Sequence, residues 1–517
     1  MKVDTLNNTD QFLVQQKDSP NLAGKSYPSL LDRLLTGFEQ QGVAYCHWKS
    51  KPLEGELDVD FLVSNDSLNR AAVVLMQLEF KAAAPRWGKN YPGVYHYYGY
   101  DVNQGKYVHL HMFTRVISGE SLVKSHLFPF EEMMLKDTRS IGRLVVTSKE
   151  AEYVLFILKT FIRYGSLLDF MREIRNDEKN KQELRNLIAN SDYHKVLDYL
   201  SNYCPVLDGK LFLECANAIA NGDWYPRKWL LAQKIRWRLR GYRIHRDFGR
   251  WFGYAGFLGA AFLKKSKNQK GSKILLNGGS VIAIVGADAT GKSTLIKATS
   301  LWLRENFIVN TIHTGKPPST WITFPINLLL KVNRGIKNNL RIVQKWGKRR
   351  SRKLMPSHEE EKNRESLIYA IRAVCLAWDR RTLLLKARRA AVNGEIIVSD
   401  RYPSFTPGMM DSPRLIDDTM QKNFAKFIYN KLAKLEAKIY RQITPPDIVL
   451  QLKVSLETAL KRNAAREIVD DEIYLQNRHQ QAAAWYIPGT RRIVDIDTDH
   501  TLEETTAEVK QVIWSSL

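Results

Sequence analysis

A glycine-rich segment between an apolar run and a helical pattern is the part of this sequence that points most directly to chemistry. Residues 286–294 read G-A-D-A-T-G-K-S-T, and a β-branched run, residues 281–285, comes immediately before them. A strand, a glycine-rich turn and a helix N-terminus in this order place successive backbone N–H groups around an anion, and the helix dipole adds positive potential. The segment therefore predicts a phosphate-binding loop.

The polar residues of this loop have expected roles toward a nucleoside triphosphate. Lys292 is long enough to reach the β- and γ-phosphates, and the hydroxyl of Ser293 is a suitable ligand for Mg²⁺. We therefore expect ATP and Mg²⁺ as cofactors. The expected nucleotide-binding residues are Gly286, Ala289, Thr290, Gly291, Lys292, Ser293 and Thr294.

Downstream, an acid and a base stand at the end of a second apolar run, G-E-I-I-V-S-D-R-Y from residue 394. Parallel α/β sheets bind their ligands at the carboxyl ends of strands. Asp400 is thus a candidate Mg²⁺ ligand through water, and Arg401 is a candidate for gripping a transferred phosphoryl group. Arg462 and Arg466 follow a third strand pattern, where arginines neutralise charge in a phosphoryl transition state. A solvated basic helix face is the alternative interpretation of either arginine.

Together these segments resemble the thymidylate kinase family of nucleoside monophosphate kinases. The loop is similar to that family's G-x-D-G-x-G-K-S-T, residues 400–402 to its D-R-Y/F strand end, and residues 378–380 (W-D-R) to the preceding helix. The segment P-P-D-I-V-L-Q-L-K-V-S-L-E-T-A-L-K-R from residue 445 resembles the strand and helix before its lid. The resemblance covers residues 278–517. It implies a Mg²⁺-dependent kinase whose acting residues are Lys292, Arg401, Arg462 and Arg466 as phosphate ligands and Asp288 facing the acceptor.

Two departures from the family concern the phosphoryl acceptor. Residues 403–408 read P-S-F-T-P-G, where the family has a Ser/Tyr/Gln run that holds a thymidine nucleotide. The loop at residues 313–318, which we call the acceptor-side loop after its place in the resemblance, lacks the family's arginine near the acceptor phosphate. Its Lys316 offers only a point charge. These departures argue against thymidylate as the acceptor.

A second constellation lies near the N-terminus, in G-E-L-D-V-D-F-L-V from residue 55. Strand geometry points Asp58 and Asp60 to one face, where two carboxylates can share a hard cation. This pattern resembles the nucleotidyltransferase superfamily of DNA polymerase β, over residues 30–165, and implies catalytic metals at both acids. A third carboxylate is expected on a neighbouring strand. The best candidate strand, residues 107–112, presents His109 and His111 instead, and histidine is a poor Mg²⁺ ligand. An active transferase and a degenerate binding domain remain alternatives.

The elements that must position these residues divide the chain into parts. A length of 517 residues predicts about two or three domains. We expect an α+β nucleotidyltransferase-like domain at 1–147, a helical subdomain at 148–224, a basic aromatic linker at 225–277 and the kinase at 278–517. Strands and helices alternate from residue 280 onward, which predicts an α/β, doubly wound parallel sheet.

The net charge of +24 is concentrated in two segments. Residues 225–273 contain fourteen Lys/Arg and one acid, and residues 331–353 contain ten Lys/Arg and no acid. Tryptophan and phenylalanine lie among or beside these cations. Three interpretations compete: a helix on an anionic membrane surface, a nucleic-acid surface, and a linker docked on the kinase. The bulky, clustered apolar residues favour the membrane over nucleic acid.

Cysteine usage and the absence of targeting signals favour a cytoplasmic protein, with peripheral attachment to the cytoplasmic membrane face. The four cysteines have no paired or metal-ligand spacing, the N-terminus is polar, and no apolar run reaches transmembrane length. We expect an ATP-dependent phosphotransferase acting on a sugar, glycan or nucleotide-type acceptor, with a second nucleotidyltransferase-like site. The alternatives are a nucleoside monophosphate kinase with an appended binding module, and a nucleotide-sensing regulatory or defence protein.

Overall fold

The structure is a computed structural model with mixed α/β architecture, which confirms the expected class. It describes residues 29–48, 57–86, 90–120, 124–244, 259, 272–329, 367–405, 411–415, 424–465, 472–483 and 485–517. The strands are β1 (Tyr45–His47), β2 (Asp58–Val63), β3 (Lys81–Pro85), β4 (Val94–Asp101), β5 (Lys106–Phe113), β6 (Val116–Gly119), β7 (Lys124–Phe128), β8 (Thr138–Ile141), β9 (Leu144–Thr147), β10 (Lys273–Leu275), β11 (Val281–Gly286), β12 (Val309–Ile312), β13 (Ile396–Ser399), β14 (Ile448–Lys453) and β15 (Arg492–Asp497).

The helices are named in the same way, in chain order. They are α1 (Ser29–Gln40), α2 (Leu68–Gln77), α3 (Glu131–Lys136), α4 (Lys149–Tyr164), α5 (Leu167–Arg175), α6 (Asp177–Ala189), α7 (Tyr193–Tyr203), α8 (Gly209–Ala220), α9 (Tyr225–Arg238), α10 (Lys292–Arg304), α11 (Leu367–Val392), α12 (Phe424–Tyr440), α13 (Leu456–Ala464), α14 (Glu472–Ala483) and α15 (Leu502–Ser516). Within the described residues, no helix is long and apolar enough to cross a membrane.

The N-terminal part is built on a mixed sheet in the order β10-β3-β4-β5-β2-β1-β9-β8. Its strand β2 shows the predicted alternation: Val59 and Phe61 are buried in a core with α1 and α2, while Asp58 is exposed on the other face. Strand β5 runs parallel to β2 and is its neighbour. Residues 107–112 therefore lie on a strand adjacent to the two acids, as predicted. The sheet therefore places the two acids and the two histidines on adjacent strands.

A helical subdomain follows the N-terminal sheet, as the 3.6-residue periodicity predicts. Ala151, Val154 and Leu158 of α4 are fully buried in a core that α6, α7 and α8 complete. Helix α9 joins the same core through Leu231 and Ile235, although the sequence places it in a linker. The helical subdomain thus extends through residue 238 in the structure.

Two cations of α9 show why this part of the basic segment differs from a solvated face. Lys228 is fully buried and binds Asp177 at 2.7 Å. Arg236 is buried 3.0 Å from Glu120 and donates a hydrogen bond to the Ile162 carbonyl. Because both cations are buried and paired with acids, they belong to the core of the helical subdomain rather than to a membrane surface. Removing either partner of such a pair would leave an uncompensated buried charge. Most of residues 245–271 lies outside the described residues.

The C-terminal part contains a five-stranded parallel sheet in the order β12-β13-β11-β14-β15. Helices cover both faces: α10 and α15 lie on one, α11 and α12 on the other. Strand β11 is central. From it the chain adds β13 and β12 on one side of the sheet and β14 and β15 on the other. The carboxyl ends of β11 and β13 therefore border the crevice where sheets of this kind bind ligands.

The two parts of the chain share an interface. Strand β10, which comes just before β11, pairs antiparallel with β3 of the N-terminal sheet. Beside it, Trp302 of α10 stacks on Tyr107 with ring centroids 5.3 Å apart and meets Tyr100 edge-on at 5.0 Å. Trp514 of α15 contacts the same tyrosines. One apolar cluster therefore joins the N-terminal sheet to the helix that follows the glycine-rich loop.

Candidate functional site

The glycine-rich loop connects the central strand β11 to the N-terminus of α10, as predicted from its sequence. A Cβ atom added at Gly286 would lie 2.9 Å from the Leu452 carbonyl oxygen, so a larger residue does not fit there. Gly291 caps α10 in the left-handed region at φ 85°. Since the first turn of a helix leaves its backbone N–H groups unpaired, the loop offers donors and positive potential to an anion.

Ala289 stands where the thymidylate kinase pattern has a glycine. It is buried, with a φ of 68° in the left-handed region that alanine rarely adopts. That conformation costs an L-residue about 1–2 kcal/mol. The loop therefore holds an alanine in a conformation that glycine adopts without this cost.

Substitutions at Ala289 test whether the loop keeps this shape in solution. Ala289→Gly is expected to leave the unfolding free energy within about 1 kcal/mol of wild type, because relief of strain offsets the added chain entropy. Ala289→Val is expected to lower it by about 2 kcal/mol or more, since a β-branched residue at positive φ is a genuine outlier. Urea denaturation followed by circular dichroism measures both, and equal stabilities for the two variants would contradict the left-handed assignment.

Lys292 and its neighbours lie at the mouth of this loop. The Lys292 ammonium donates to the carbonyl oxygens of Gly286, at 3.1 Å, and of Ala287. It is thus folded back over the loop that it is expected to serve. Ser293 and Thr294 are exposed at the start of α10, while the buried Thr290 donates to the Ala287 carbonyl.

Asp400 and Arg401 follow β13 at the same edge of the sheet. One carboxylate oxygen of Asp400 accepts a hydrogen bond from His313, which follows the adjacent strand β12. The other oxygen, Oδ1, is buried and has no hydrogen-bond partner in the described part of the chain. Arg401 lies beside Gly315, with its Cδ 3.6 Å from where a Cβ of that glycine would be. The structure therefore brings the acid and the base together with the acceptor-side loop.

A buried ion-pair network lies behind Arg401, and the sequence did not predict it. Arg380, fully buried on α11, pairs with Asp411 and donates to the Tyr440 hydroxyl at 2.6 Å. Its Nε donates to the Thr314 carbonyl at 3.0 Å. Asp411 also lies 3.9 Å from Arg401. These contacts fix the position of the acceptor-side loop relative to Arg401. The W-D-R resemblance marked Arg380 but gave it no role, and no local pattern marks Asp411.

Of the two predicted lid arginines, the structure describes only Arg462. The guanidinium of Arg462 donates to the Thr498 carbonyl at 2.6 Å and thereby ties α13 to the turn after β15. This contact is a structural one, and the role of Arg462 toward a phosphate stays a prediction. Arg466 lies outside the described residues.

The N-terminal acids form two carboxylate–imidazole pairs across adjacent strands. Nδ1 of His109 donates to Asp58 at 2.8 Å, and Nδ1 of His111 donates to Asp60 at 3.1 Å. On the next strand, His96 lies 3.0 Å from His109 and stacks on His111. The face therefore presents alternating acids and imidazoles where the superfamily pattern has a third carboxylate.

The protonation of this face follows from burial and hydrogen bonding. The hydrogen bond from His109 lowers the pKa of Asp58. Burial alone would raise the pKa of Asp60, but the hydrogen bond from His111 and nearby positive charges bring it below its usual value. Burial lowers the pKa of His111 and lowers that of His96 to about 2. Both acids are thus ionised and these two imidazoles neutral at pH 7.

Among the described residues, no group of three or more His, Cys, Asp or Glu side chains is arranged to hold a metal ion. The metal site at Asp58 and Asp60 remains a prediction, with a direct test. If these acids bind Mg²⁺ or Mn²⁺, the double variant Asp58→Asn/Asp60→Asn is expected to lose at least about tenfold in affinity, because carboxylates dominate hard-cation sites. Calorimetry on the full chain without nucleotide measures this, and wild type that binds no metal would favour the degenerate domain.

Comparison with known proteins gives a distant relative. The chain is 24% identical over 239 residues, 45% of its length, to the uncharacterized ATP-binding protein YghR of Escherichia coli K12, and the match covers 86% of that protein. The same protein from E. coli O6:H1 (strain CFT073) matches with the same identity and coverage. No protein-family model matches the chain.

Proposed function

We propose that the chain binds ATP at residues 286–294 and transfers the γ-phosphoryl group to an acceptor at the carboxyl edge of the parallel sheet. The observation that carries this proposal is the loop itself, a glycine-rich turn from a central strand into a helix N-terminus, with Asp400 and Arg401 following the adjacent strand. Similarity to a protein named as ATP-binding supports nucleotide binding in general.

The residues at this edge fit a magnesium–nucleotide complex. The buried Oδ1 of Asp400, unpartnered among the described residues, is a strong acceptor that needs a cation or water, and the hydroxyl of Ser293 lies at the start of α10. These two residues would hold Mg²⁺, which neutralises charge on the phosphate oxygens when bound. Lys292 would leave its two carbonyl partners for the phosphates, since an ammonium binds an anion more strongly than a neutral oxygen.

In the proposed reaction, an acceptor oxygen forms a bond to the γ-phosphorus while the bond to the β,γ-bridging oxygen breaks and ADP leaves. Arg401 stabilises the charge on the transferred group, because its planar guanidinium can donate two hydrogen bonds at once. Asp288, partly exposed in the loop, takes the proton when the acceptor is a hydroxyl. Arg380 and Asp411 do not contact the substrate but position the site: Asp411 lies against Arg401, and Arg380 binds the Thr314 carbonyl.

The acceptor is proposed to be a sugar or glycan, such as an intermediate of a surface polysaccharide, or a nucleotide-type compound. The acceptor-side loop presents His313 and Lys316, and no arginine, where a nucleoside monophosphate kinase would grip a phosphate. A lone ammonium lacks the bidentate geometry that selects a phosphate monoester. This composition favours the sugar or glycan class.

An acceptor screen with γ-labelled ATP tests the proposal. Purified full chain with Mg²⁺ is incubated with sugars, glycans and nucleoside monophosphates, and label is followed into each acceptor. Transfer to one class supports the kinase and selects its acceptor. Tight ATP binding with no transfer to any acceptor would contradict it and favour the nucleotide-sensing regulator instead.

A further inference from the structure

An outward-facing apolar surface stands beside the acceptor-side loop. Residues 321–329 carry large apolar side chains with little cover from the rest of the described chain. Five of these side chains are more than half exposed: Trp321 (98%), Ile322 (65%), Phe324 (59%), Leu328 (51%) and Leu329 (70%). We call these five side chains the apolar face.

The polar residues of the same segment face the protein instead. The buried carboxylate of Asp379 accepts hydrogen bonds from the Thr323 hydroxyl at 2.6 Å, the Thr320 backbone N–H at 2.9 Å and the Asn327 amide at 3.3 Å. Residues 320, 323 and 327 recur at three- and four-residue steps, so one side of this turn and short helix is fixed by a single acid. The arrangement is the reverse of an ordinary surface helix, which buries its apolar side. Partner binding is the usual meaning of such a patch.

The sequence on both sides of the apolar face is basic. Lys316 is exposed just before it, and residues 319–330 contain no charged side chain. The ten Lys/Arg of residues 331–353 follow it directly in the chain. Apolar side chains next to a block of cations are complementary to anionic lipid headgroups over an apolar interior.

Other partners fit this surface less well. Aliphatic side chains such as Ile322, Leu328 and Leu329 cannot stack with bases as the platforms of single-strand binders do. A second copy of this chain would bring together two chains that each carry a net charge of +24, which repel one another. A bilayer with anionic headgroups meets both the apolar and the cationic part.

We propose that the apolar face of residues 321–329 inserts at headgroup depth into an anionic membrane. Asp379, which fixes this segment, is followed by Arg380, whose guanidinium donates to the Thr314 carbonyl of the acceptor-side loop. Consecutive residues of α11 thus hold the membrane-docking segment and the acceptor-side loop. Docking places the mouth of the phosphoryl-transfer site, which rests on the proposed function, against the bilayer.

Vesicle flotation of the full chain tests this proposal. Wild type is expected to float with phosphatidylcholine vesicles containing phosphatidylglycerol, weakly with phosphatidylcholine alone, and less at high salt because screening weakens the attraction. The variant Trp321→Ser/Phe324→Ser/Leu329→Ser is expected to bind anionic vesicles at least about tenfold more weakly, because three large side chains no longer enter the interface. Val392→Ser, at an equally exposed position at the far end of α11, is the control and keeps wild-type binding.

ATP binding is measured in parallel for every variant. The triple variant is expected to bind ATP as wild type does, since the three replaced side chains face solvent. If wild type binds no ATP but still floats with anionic vesicles, the proposed kinase function is wrong and the docking proposal stands. Equal binding of wild type to neutral and anionic vesicles would overturn docking. Unchanged flotation of the triple variant would also overturn docking. The same holds if the triple substitution abolishes self-association or nucleic-acid binding but leaves vesicle binding intact.

Discussion

Lys292→Ala is expected to lower ATP-dependent phosphoryl transfer by at least about a hundredfold, the scale for losing one preorganised electrostatic contact. The ammonium donates to loop carbonyls, and its removal takes no apolar side chain from the core. The fold should therefore survive. Transfer of label from γ-labelled ATP measures the loss, and near- and far-ultraviolet circular dichroism checks that the variant is folded.

Lys297→Ala supplies the matched control for this experiment. Lys297 is exposed five residues further along the same helix, α10, and carries the same charge. Its removal is expected to leave turnover within about twofold, since a surface charge at that distance is screened by solvent. Wild-type turnover in Lys292→Ala, or an equal loss in both variants, would show that residues 286–294 are not the phosphate site.

Trp302→Ala is expected to lower the unfolding free energy by about 3–5 kcal/mol, the range for removing a buried tryptophan. Trp302 is buried against Tyr100, Tyr107 and Trp514, so the cavity opens between α10 and the N-terminal sheet. Because α10 begins at the phosphate loop, ATP affinity should fall as well. Urea denaturation and nucleotide titration measure the two effects.

Leu301→Ala tests the same helix without touching the interface. Leu301 is half exposed next to Trp302, so its truncation is expected to change the unfolding free energy by less than about 1 kcal/mol. Similar destabilisation by both substitutions would mean that the aromatic cluster does not join the two parts in solution.

Local sequence patterns were enough to pick out many candidate-site residues. They did not predict contacts between residues that are far apart in the sequence. The glycine-rich loop is nine contiguous residues, so its strand, turn and helix are all visible in one window. The same holds for Asp58 and Asp60, where period-two alternation fixes a face. His313 and Asp400 are 87 residues apart, and Arg380 and Asp411 are 31 apart, so their pairing depends on strand order and loop closure. No periodicity encodes these.

Charge was the least reliable guide to exposure. A run of cations predicts a solvated face, but Lys228 and Arg236 find Asp177 and Glu120 on elements distant in sequence and are buried with them. The apolar cluster at Trp302 shows the converse difficulty. Its aromatic residues come from β4, β5, α10 and α15, and the sequence of each gives no sign of the others.

The position of β10 bears on how this chain can be divided. Residues 273–275 pair with β3 only six residues before the strand that leads into the phosphate loop. A cut at the sequence-derived boundary between residues 277 and 278 leaves β10 on the N-terminal fragment and takes away the surface of α10 and α15 that covers Tyr100 and Tyr107. A cut before residue 272 instead leaves β3 as an open edge, which invites pairing with other chains. Either fragment exposes surfaces that the intact chain covers, so we expect the two halves to be produced in soluble form more readily as one chain than as separate fragments.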